Sequence, residues 1–526
     1  MRIVSIGLAI MLAGTAQAQD NRPMITVGVQ QIATSGTLDV LREQSNVGAR
    51  VVYSIVEPLI DNMRQDAALP QKPGLAAAWR RLDERTIELK LRPGVLFHNG
   101  ETMTADDVAF TFSPMRWRGE AIPDDATPAN TNYPPREAVA SGRSLWPNLG
   151  DVQIIDPQTV RITSRVPDAT MEGRIARYGS DIISRKGWES AANWLAYARR
   201  PIGTGPYKIV DFRNDNMLVL EAHDAYWGGR PPIRTLRFVV APDVSARVNG
   251  LLSGLFDFVT DLPPDQITVV QANPKFEVVG GPITNHRILT FDRNHPVLKD
   301  PRIRQALTHA IDRQLIVDTL FLGRTQVPKG LQWDYYGPML IADWTVPHYD
   351  PARAKQLLAE AGYKGEPIPY RVLNNYYNNQ VPTAQVLLEM WRAVGLNVQM
   401  EMKENWGQIM ERNATRGIRD WSNSAPFNDP VASIVNQHCP RGGQQTSGEY
   451  TNADFNALCG VLETSVVPEE RRATFARMLQ IAEREDPAYT VLHQTTLLYG
   501  KRRDIRWTWS ALQSMDFRAE NFRIGQ

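Results

Sequence analysis

Apolar and polar positions recur along this chain with two different periods. Ile25, Val27 and Val29 alternate with Thr26 and Gly28, which predicts a strand with one buried face. Ile87, Leu89 and Leu91 alternate with Glu88 and Lys90 in the same way, and a further strand is expected around 160–162 after the turn signal Asp156-Pro157. Thr104 can cap a helix, and Asp107 three residues on completes a capping-box-like start. In the second half the period becomes helical. Asp300-Pro301 puts an N-cap before a proline at the first helical position, and Ile303, Leu307, Ala310 and Ile311 then share a face. Asp350-Pro351 repeats the device ahead of Ala354, Leu357, Leu358 and Ala361, with Gly362 as the C-cap. Phe475, Met478, Leu479 and Ala482 make another stripe. Strands and helices are interleaved without an internal repeat, so the fold class is α/β with at least two sheets.

The first residues change the picture. Arg2, a short apolar stretch and Ala16-Gln17-Ala18 before Gln19 form the order of a secretory signal peptide, expected over 1–18. No cysteine follows the cleavage site and no later segment has a long apolar run, so a soluble, periplasmic chain is expected. About 500 mature residues exceed what one core can serve and imply two or three lobes. Lys and Arg total 58 against 57 Asp and Glu, a balance that offers no field for nucleic acid. Cys439 and Cys459 are the only cysteines, and in an oxidising compartment they are expected to form a disulfide. No phosphate loop, nucleophile elbow, zinc helix or C-x-x-C motif occurs; Gly203-Thr204-Gly205 runs straight into Pro206 and reads as a rigid turn. No catalytic residue, cofactor or metal ligand is assigned, and no enzyme activity is expected.

Several ordered segments resemble the family 5 solute-binding proteins of ABC importers, the peptide, nickel and opine class. They are Tyr53-Ser54-Ile55-Val56-Glu57-Pro58-Leu59-Ile60 with Pro73-Gly74-Leu75-Ala76 and Trp79, then Leu89-Lys90-Leu91-Arg92-Pro93-Gly94-Val95 with Phe97-His98-Asn99-Gly100 and Thr104-Ala105-Asp106-Asp107-Val108. Gly203-Thr204-Gly205-Pro206-Tyr207, Tyr226-Trp227-Gly228-Gly229, Arg302-Ile303-Arg304-Gln305-Ala306-Leu307 with Ala310-Ile311-Asp312-Arg313, and residues 354–362 follow in family order. The resemblance implies a two-lobed periplasmic-binding-protein fold with an inserted third subdomain (cluster C type). By analogy 19–45, 200–280 and 490–526 build the first lobe, 46–199 the insertion and 281–489 the second lobe. It also implies a monomer that captures a small-molecule ligand by cleft closure and hands it to an inner-membrane ABC permease.

Three stretches match family positions that line the cleft. Gln44, Ser45 and Asn46 precede a helix expected over 47–60; Asn374, Asn375 and Tyr376 follow a strand expected over 370–373; and Trp421, Asn423, Asn428 and Asp429 lie in an Asp-Pro segment. Each can also be bland: a helix cap, a solvated loop, a core aromatic. The peptide-binding members carry an aspartate just before that Asp-Pro, where this chain has Ser424-Ala425-Pro426, and their carboxylate-holding arginine has no counterpart near Asn375-Tyr376. A free dipeptide is therefore disfavoured, and the expected ligand is a small polar organic solute such as an opine, a sugar conjugate or a modified peptide. Di- or oligopeptide binding is the first alternative. Nickel-chelate binding through His438, weighed against a surface histidine beside the disulfide, is the second; a secreted hydrolase is the third. Arg302 and Arg304 read as helix-surface residues.

Overall fold

The structure is a computed structural model that describes residues 20–374, 376–413 and 416–525. The expected leader over 1–18 lies outside the described residues. One ten-stranded sheet runs through the molecule in the order Val398–Lys403, Ile368–Leu373, Ile418–Ser424, Phe276–Phe291, Tyr489–Arg502, Phe258–Val259, Met24–Val29, Thr235–Val240, Met217–Ala222, Tyr207–Arg213. Its two long central strands serve both lobes. Residues 276–282 pair with 496–502 in register, the register shifts between Pro282 and His286, and His286 then pairs with Gln494. On the far side of that shift Asn285 to Phe291 pair with Ile418–Ser424 of the second lobe. A break in register at which two paired strands pass from one lobe to the other is a hinge.

The strand Met24–Val29 is covered on both faces, because it lies between Thr235–Val240 and Phe258–Val259 with helices packed over the sheet. Thr26 and Gly28 are buried with their apolar neighbours, so the expected half-exposed strand is an interior one. Capping follows the sequence: Thr104 and Asp107 form a capping box, Asp300 and Asp350 cap their helices, and Gly362 ends the second of these at φ +68°. Arg302 is exposed, but Arg304 is fully buried and pairs with Asp486 at 2.5 Å, so its position is interior rather than on the surface.

The helix after Ser45 covers only Asn46–Val52, eight residues short of the expected end. Its continuation is claimed by another segment: the carbonyls of Ser54 and Ile55 accept the N–H groups of Tyr207 and Gly205, each at 3.0 Å. The glycines at 203 and 205 allow this approach, since a Cβ at 203 would stand 2.2 Å from the Ile55 carbonyl oxygen and one at 205 would stand 2.6 Å from that of Ser54. Neither has positive φ, so the expected rigid turn is a close backbone crossing. Glu57 seals the crossing, accepting from Tyr226 Oη (2.6 Å), Arg518 (2.8 Å), Thr204 Oγ1 (2.9 Å) and Trp227 Nε1 (2.9 Å). Four donors satisfy one buried carboxylate, so the family motifs around Glu57, Thr204 and Trp227 are scaffold.

A second, four-stranded sheet of Ala76–Asp83, Thr86–Leu91, Thr159–Ser164 and Leu149–Asp156 lies within the expected insertion. Its core, with Trp117 and Trp146, is continuous with that of the first lobe around Phe238 and Phe517. The second lobe has two cores, one around Trp333, Phe427 and Phe475, the other around Leu307, Leu357 and Trp391. Cys439 and Cys459 form the expected disulfide. It closes a 20-residue loop, a constraint on the unfolded chain of about 3 kcal/mol. Among the described residues no helix is long and apolar enough to cross a membrane.

Candidate ligand-binding cleft

The first-lobe wall is built around a buried acid that sequence reading passed over. The Glu43 carboxylate accepts the N–H groups of Ser35 (2.8 Å) and Ser45 (3.1 Å), the Thr34 hydroxyl (3.3 Å) and the Ser45 hydroxyl. Ser45 in turn caps the helix Asn46–Val52 by accepting from the Gly48 N–H at 3.1 Å. The chain from 34 to 46 is thus folded around one carboxylate. Gly48 is the contact that permits it, because a Cβ there would lie 2.3 Å from Glu43 Cγ. Gly48→Ala is expected to destabilise the protein by about 1–3 kcal/mol through overpacking and to weaken solute binding, as read by denaturant melts and calorimetry.

The second-lobe wall is an aromatic cluster positioned by Asp420. Its carboxylate forms an ion pair with Arg287 (2.5 Å) and accepts from Tyr370 Oη (2.6 Å) and Gln380 Nε2 (2.8 Å). Gln380 Oε1 accepts the N–H groups of Tyr376 and Tyr377, so the turn after the strand Ile368–Leu373 hangs from this acid through one amide. Arg287 stacks over the Tyr377 ring at 3.5 Å, and Tyr376 meets Trp406 edge-on at 5.1 Å. Trp421 stands on the neighbouring strand, backed by Arg419 at 4.2 Å, which is held by Glu449 at 2.6 and 2.8 Å.

Between these walls lies a cavity of about 490 Å³, lined from both lobes and from the insertion. That volume suits a small organic solute. Gln30 Nε2 donates to the Tyr376 carbonyl at 3.4 Å, and Arg174 of the insertion approaches Glu463 at 3.5 Å, so the lobes touch across the cleft. A second cavity of about 510 Å³ adjoins it at Arg64 and Thr284 and is lined by Trp333 and Trp509 near the hinge.

Of the expected ligand residues, Gln44, Ser45, Asn46, Tyr376 and Trp421 line the cleft cavity together. Asn423 does not. It is wholly buried and donates to His438 Nε2 at 2.8 Å, on the same side of its strand as Trp421, whose larger side chain reaches the cavity. Asn374 and Asn428 are exposed outside the cavity lining, and Asp429 caps a 3₁₀ turn and pairs with Arg471 at 2.6 Å. Asn375 lies outside the described residues. Arg42, Arg64 and Arg177 also line the cavity, away from the Asn375-Tyr376 position.

The profile of the bacterial extracellular solute-binding proteins, family 5 (middle), matches residues 71–442. The chain belongs to that family. This solute-binding protein is 28% identical to the heme-binding protein A of Haemophilus influenzae, over 80% of its own length and 79% of that protein's. Its fold matches the periplasmic binding protein DppA from Helicobacter pylori in complex with the peptide STSA, at a TM-score of 0.82 and 18% identity over 96% and 98% of the two chains. It matches MoaA of A. tumefaciens R10 in complex with mannopinic acid at 0.79 and 20% identity, over 96% and 100%. The family consists of extracellular, substrate-binding components of importers that bind small molecules and work with ABC permeases.

In this solute-binding protein His438 is neither a surface residue nor a cleft residue. It is fully buried, takes the Asn423 amide on Nε2, donates from Nδ1 to Gln444 Oε1 at 2.6 Å, and packs on Tyr489. Burial drops its pKa to about 3, so it is a neutral core residue. The nickel reading thereby loses the residue that carried it. Arg177 and Trp406 had no signal in the sequence: each is one arginine or tryptophan among many, brought to the cleft only by tertiary packing.

Proposed function

We propose that this protein captures a small polar organic solute, of the opine, sugar-conjugate or modified-peptide type, for import by its ABC permease. The supporting observation is a cavity of about 490 Å³ with amides and hydroxyls from both lobes and most of its aromatic faces from the second. Gln44, Ser45 and Asn46 offer hydrogen bonds to a desolvated polar guest, and Tyr376, Trp406 and Trp421 offer flat apolar faces. Neither wall alone surrounds the guest, so binding energy is gained on closure and the closed form is selected.

Ordinary dipeptides remain the competing ligand, given the family's peptide-binding members. A dipeptide's ammonium needs an acid, and among the described residues no Asp or Glu side chain lines the cavity. Isothermal calorimetry with X-ray scattering separates the two. Submicromolar binding of an opine or sugar conjugate with a smaller radius of gyration is expected. Submicromolar binding of plain dipeptides with no response to the conjugates would overturn the reading.

A further inference from the structure

Four glutamines are buried among the described residues, and three of them use both ends of the amide. Gln332 donates to the carbonyls of Lys329 (2.7 Å) and Ile341 (2.9 Å) and accepts the Ile341 N–H. Gln380 links Asp420 to Tyr376 and Tyr377, and Gln444 links His438 to the Ala488 carbonyl. Gln513 differs. It is 5% exposed, and its Oε1 is enclosed without any hydrogen-bond partner. An enclosed carboxamide oxygen left unpaired is unfavourable, and folded proteins keep few of them. The chain fixes this residue from both sides. The Ala511 carbonyl accepts the N–H of Thr284 on the hinge strand, and Met515 donates its N–H to the Arg50 carbonyl, each at 3.0 Å. Between these anchors Gln513 stands at φ +69°, a left-handed conformation that costs a non-glycine residue energy.

Gln513 lines the cleft cavity and also a side cavity of about 40 Å³ that adjoins it. Asn46, Tyr376 and Tyr377 likewise line both. A water-sized group needs about 10–15 Å³, so the side cavity has room for one. The ions around it are matched, Arg50 with Asp261 at 2.9 Å and Arg287 with Asp420 at 2.5 Å. Its threonine protons are spent, that of Thr495 on Asn285 Oδ1 (2.6 Å) and that of Thr496 on the Arg324 carbonyl (3.0 Å). Two enclosed atoms on the lining residues are unmatched, one acceptor and one donor. The acceptor is Gln513 Oε1. The donor is Nε of Arg50, whose Nη1 serves Thr260 and whose Nη2 serves Asp261.

We infer that the side cavity is a hydroxyl-reading subsite, and that Gln513 is its specificity-determining residue. One hydroxyl of the solute enters it, donating to Gln513 Oε1 and accepting from Arg50 Nε–H. The inference rests on the solute-binding reading above and narrows it to hydroxyl-bearing solutes. An ammonium brings no lone pair for the arginine, and a carboxylate brings no proton for the glutamine. The matched ions offer neither of them a free counter-charge. A hydroxyl serves both partners with one atom. A hydrogen or methyl in its place leaves both groups unpaired, so the subsite acts chiefly by rejecting analogues that lack the hydroxyl. Tyr376 and Tyr377 come from the second lobe and Asn46 and Gln513 from the first-lobe side, so the subsite is complete only when the cleft is closed.

The test uses hexitol–amino-acid conjugates, each with the set of analogues lacking one hydroxyl, against wild type, Gln513→Met and Gln513→Gly. Calorimetry reads affinity and X-ray scattering reads closure. In wild type one position is expected to dominate, its deoxy analogue binding about 10–100-fold more weakly than the parent. Gln513→Met is expected to bind the parent and that analogue alike. Gln513→Gly suits the left-handed backbone and is expected to melt at or above wild type without solute, while losing the same discrimination. If wild type binds every deoxy analogue as tightly as its parent, the cavity holds only water and the inference is wrong. It is equally wrong if the Met variant keeps the discrimination. The wild-type series decides even if a variant fails to fold. A wild type that binds no hexitol conjugate also overturns it; closure around a polar solute without hydroxyls in that case leaves the solute-binding reading standing.

Discussion

Between pH 6.5 and pH 5 the folded protein is expected to lose on the order of 5 kcal/mol of stability, from three buried histidines alone. His286 is stacked on Trp333 at 4.0 Å and donates to the Gln332 carbonyl; burial lowers its pKa to about 4. His493 donates to the Gln494 carbonyl and His438 to Gln444, and burial lowers each to about 3. A histidine with a depressed folded pKa is neutral in the fold, while the unfolded chain takes up its proton below about pH 6.5. The unfolded state therefore gains protons first, and stability falls with pH at about 1.4 kcal/mol per unit for each such group. Above pH 6.5 the term is absent. Asp181 acts in the opposite sense: pushed up to about 6, it is protonated first in the fold and returns about 1 kcal/mol by pH 5. The balance is a large share of the 5–15 kcal/mol typical of a folded protein (about 1–2 kcal/mol being enough to shift a melt). The first event is expected at the hinge. His286 pairs with Gln494 at the register shift between the lobes, and His493 faces Arg287 across the same two strands. Urea melts from pH 7.5 to 4.5 check this. A midpoint that stays constant over that range overturns it, and His493→Gln is expected to reduce the slope by one proton.

Asp420→Ala is expected to cost about 3–5 kcal/mol, since it leaves Arg287 as an uncompensated buried charge. Both side chains are almost fully enclosed and their ion pair measures 2.5 Å. The larger consequence is functional. Tyr376 and Tyr377 are positioned through Gln380, and Gln380 donates its amide to Asp420. Without the acid, that amide is free to rotate and the aromatic turn loses its support. Solute affinity is expected to fall by at least 10-fold even in the fraction that stays folded, which equals about 1.4 kcal/mol. Denaturant melts read the first effect and calorimetry below the melting range reads the second. A variant that is destabilised but binds normally would show that Asp420 supports the lobe and not the cleft. Asp420→Asn, which keeps one acceptor for Tyr370, is expected to fall between the two.

The fold was legible where one chemical device decides one local event. Pro301 and Pro351 behind aspartate caps, Gly362 at a left-handed end and the Thr104–Asp107 box all act within a few residues of themselves. The disulfide followed from two cysteines with no other use. Readings failed where a distant segment competed. The helix at 46–52 ends early because residues 205 and 207, far away in sequence, take the carbonyls of 54 and 55. The cleft was partly legible. Gln44, Ser45, Asn46, Tyr376 and Trp421 lie in polar-aromatic segments after strands or before a helix. Asn423 belongs to one of those segments yet is wholly buried against His438, because what packs over a strand residue is decided by distant segments and not by composition.

What the amino-acid order determined by itself was the family, the α/β class, the helix caps and the segments from which the cleft is drawn, all set by local propensity, by period and by ordered motifs. What only tertiary structure decided was the charge of the cleft. Arg42, Arg64 and Arg177 come from separate segments, and packing alone brings them to one cavity whose described lining holds no Asp or Glu side chain. Solvation and pairing belong to three-dimensional surroundings, so guanidinium groups that are ordinary in sequence become part of a cavity wall only once the chain has folded.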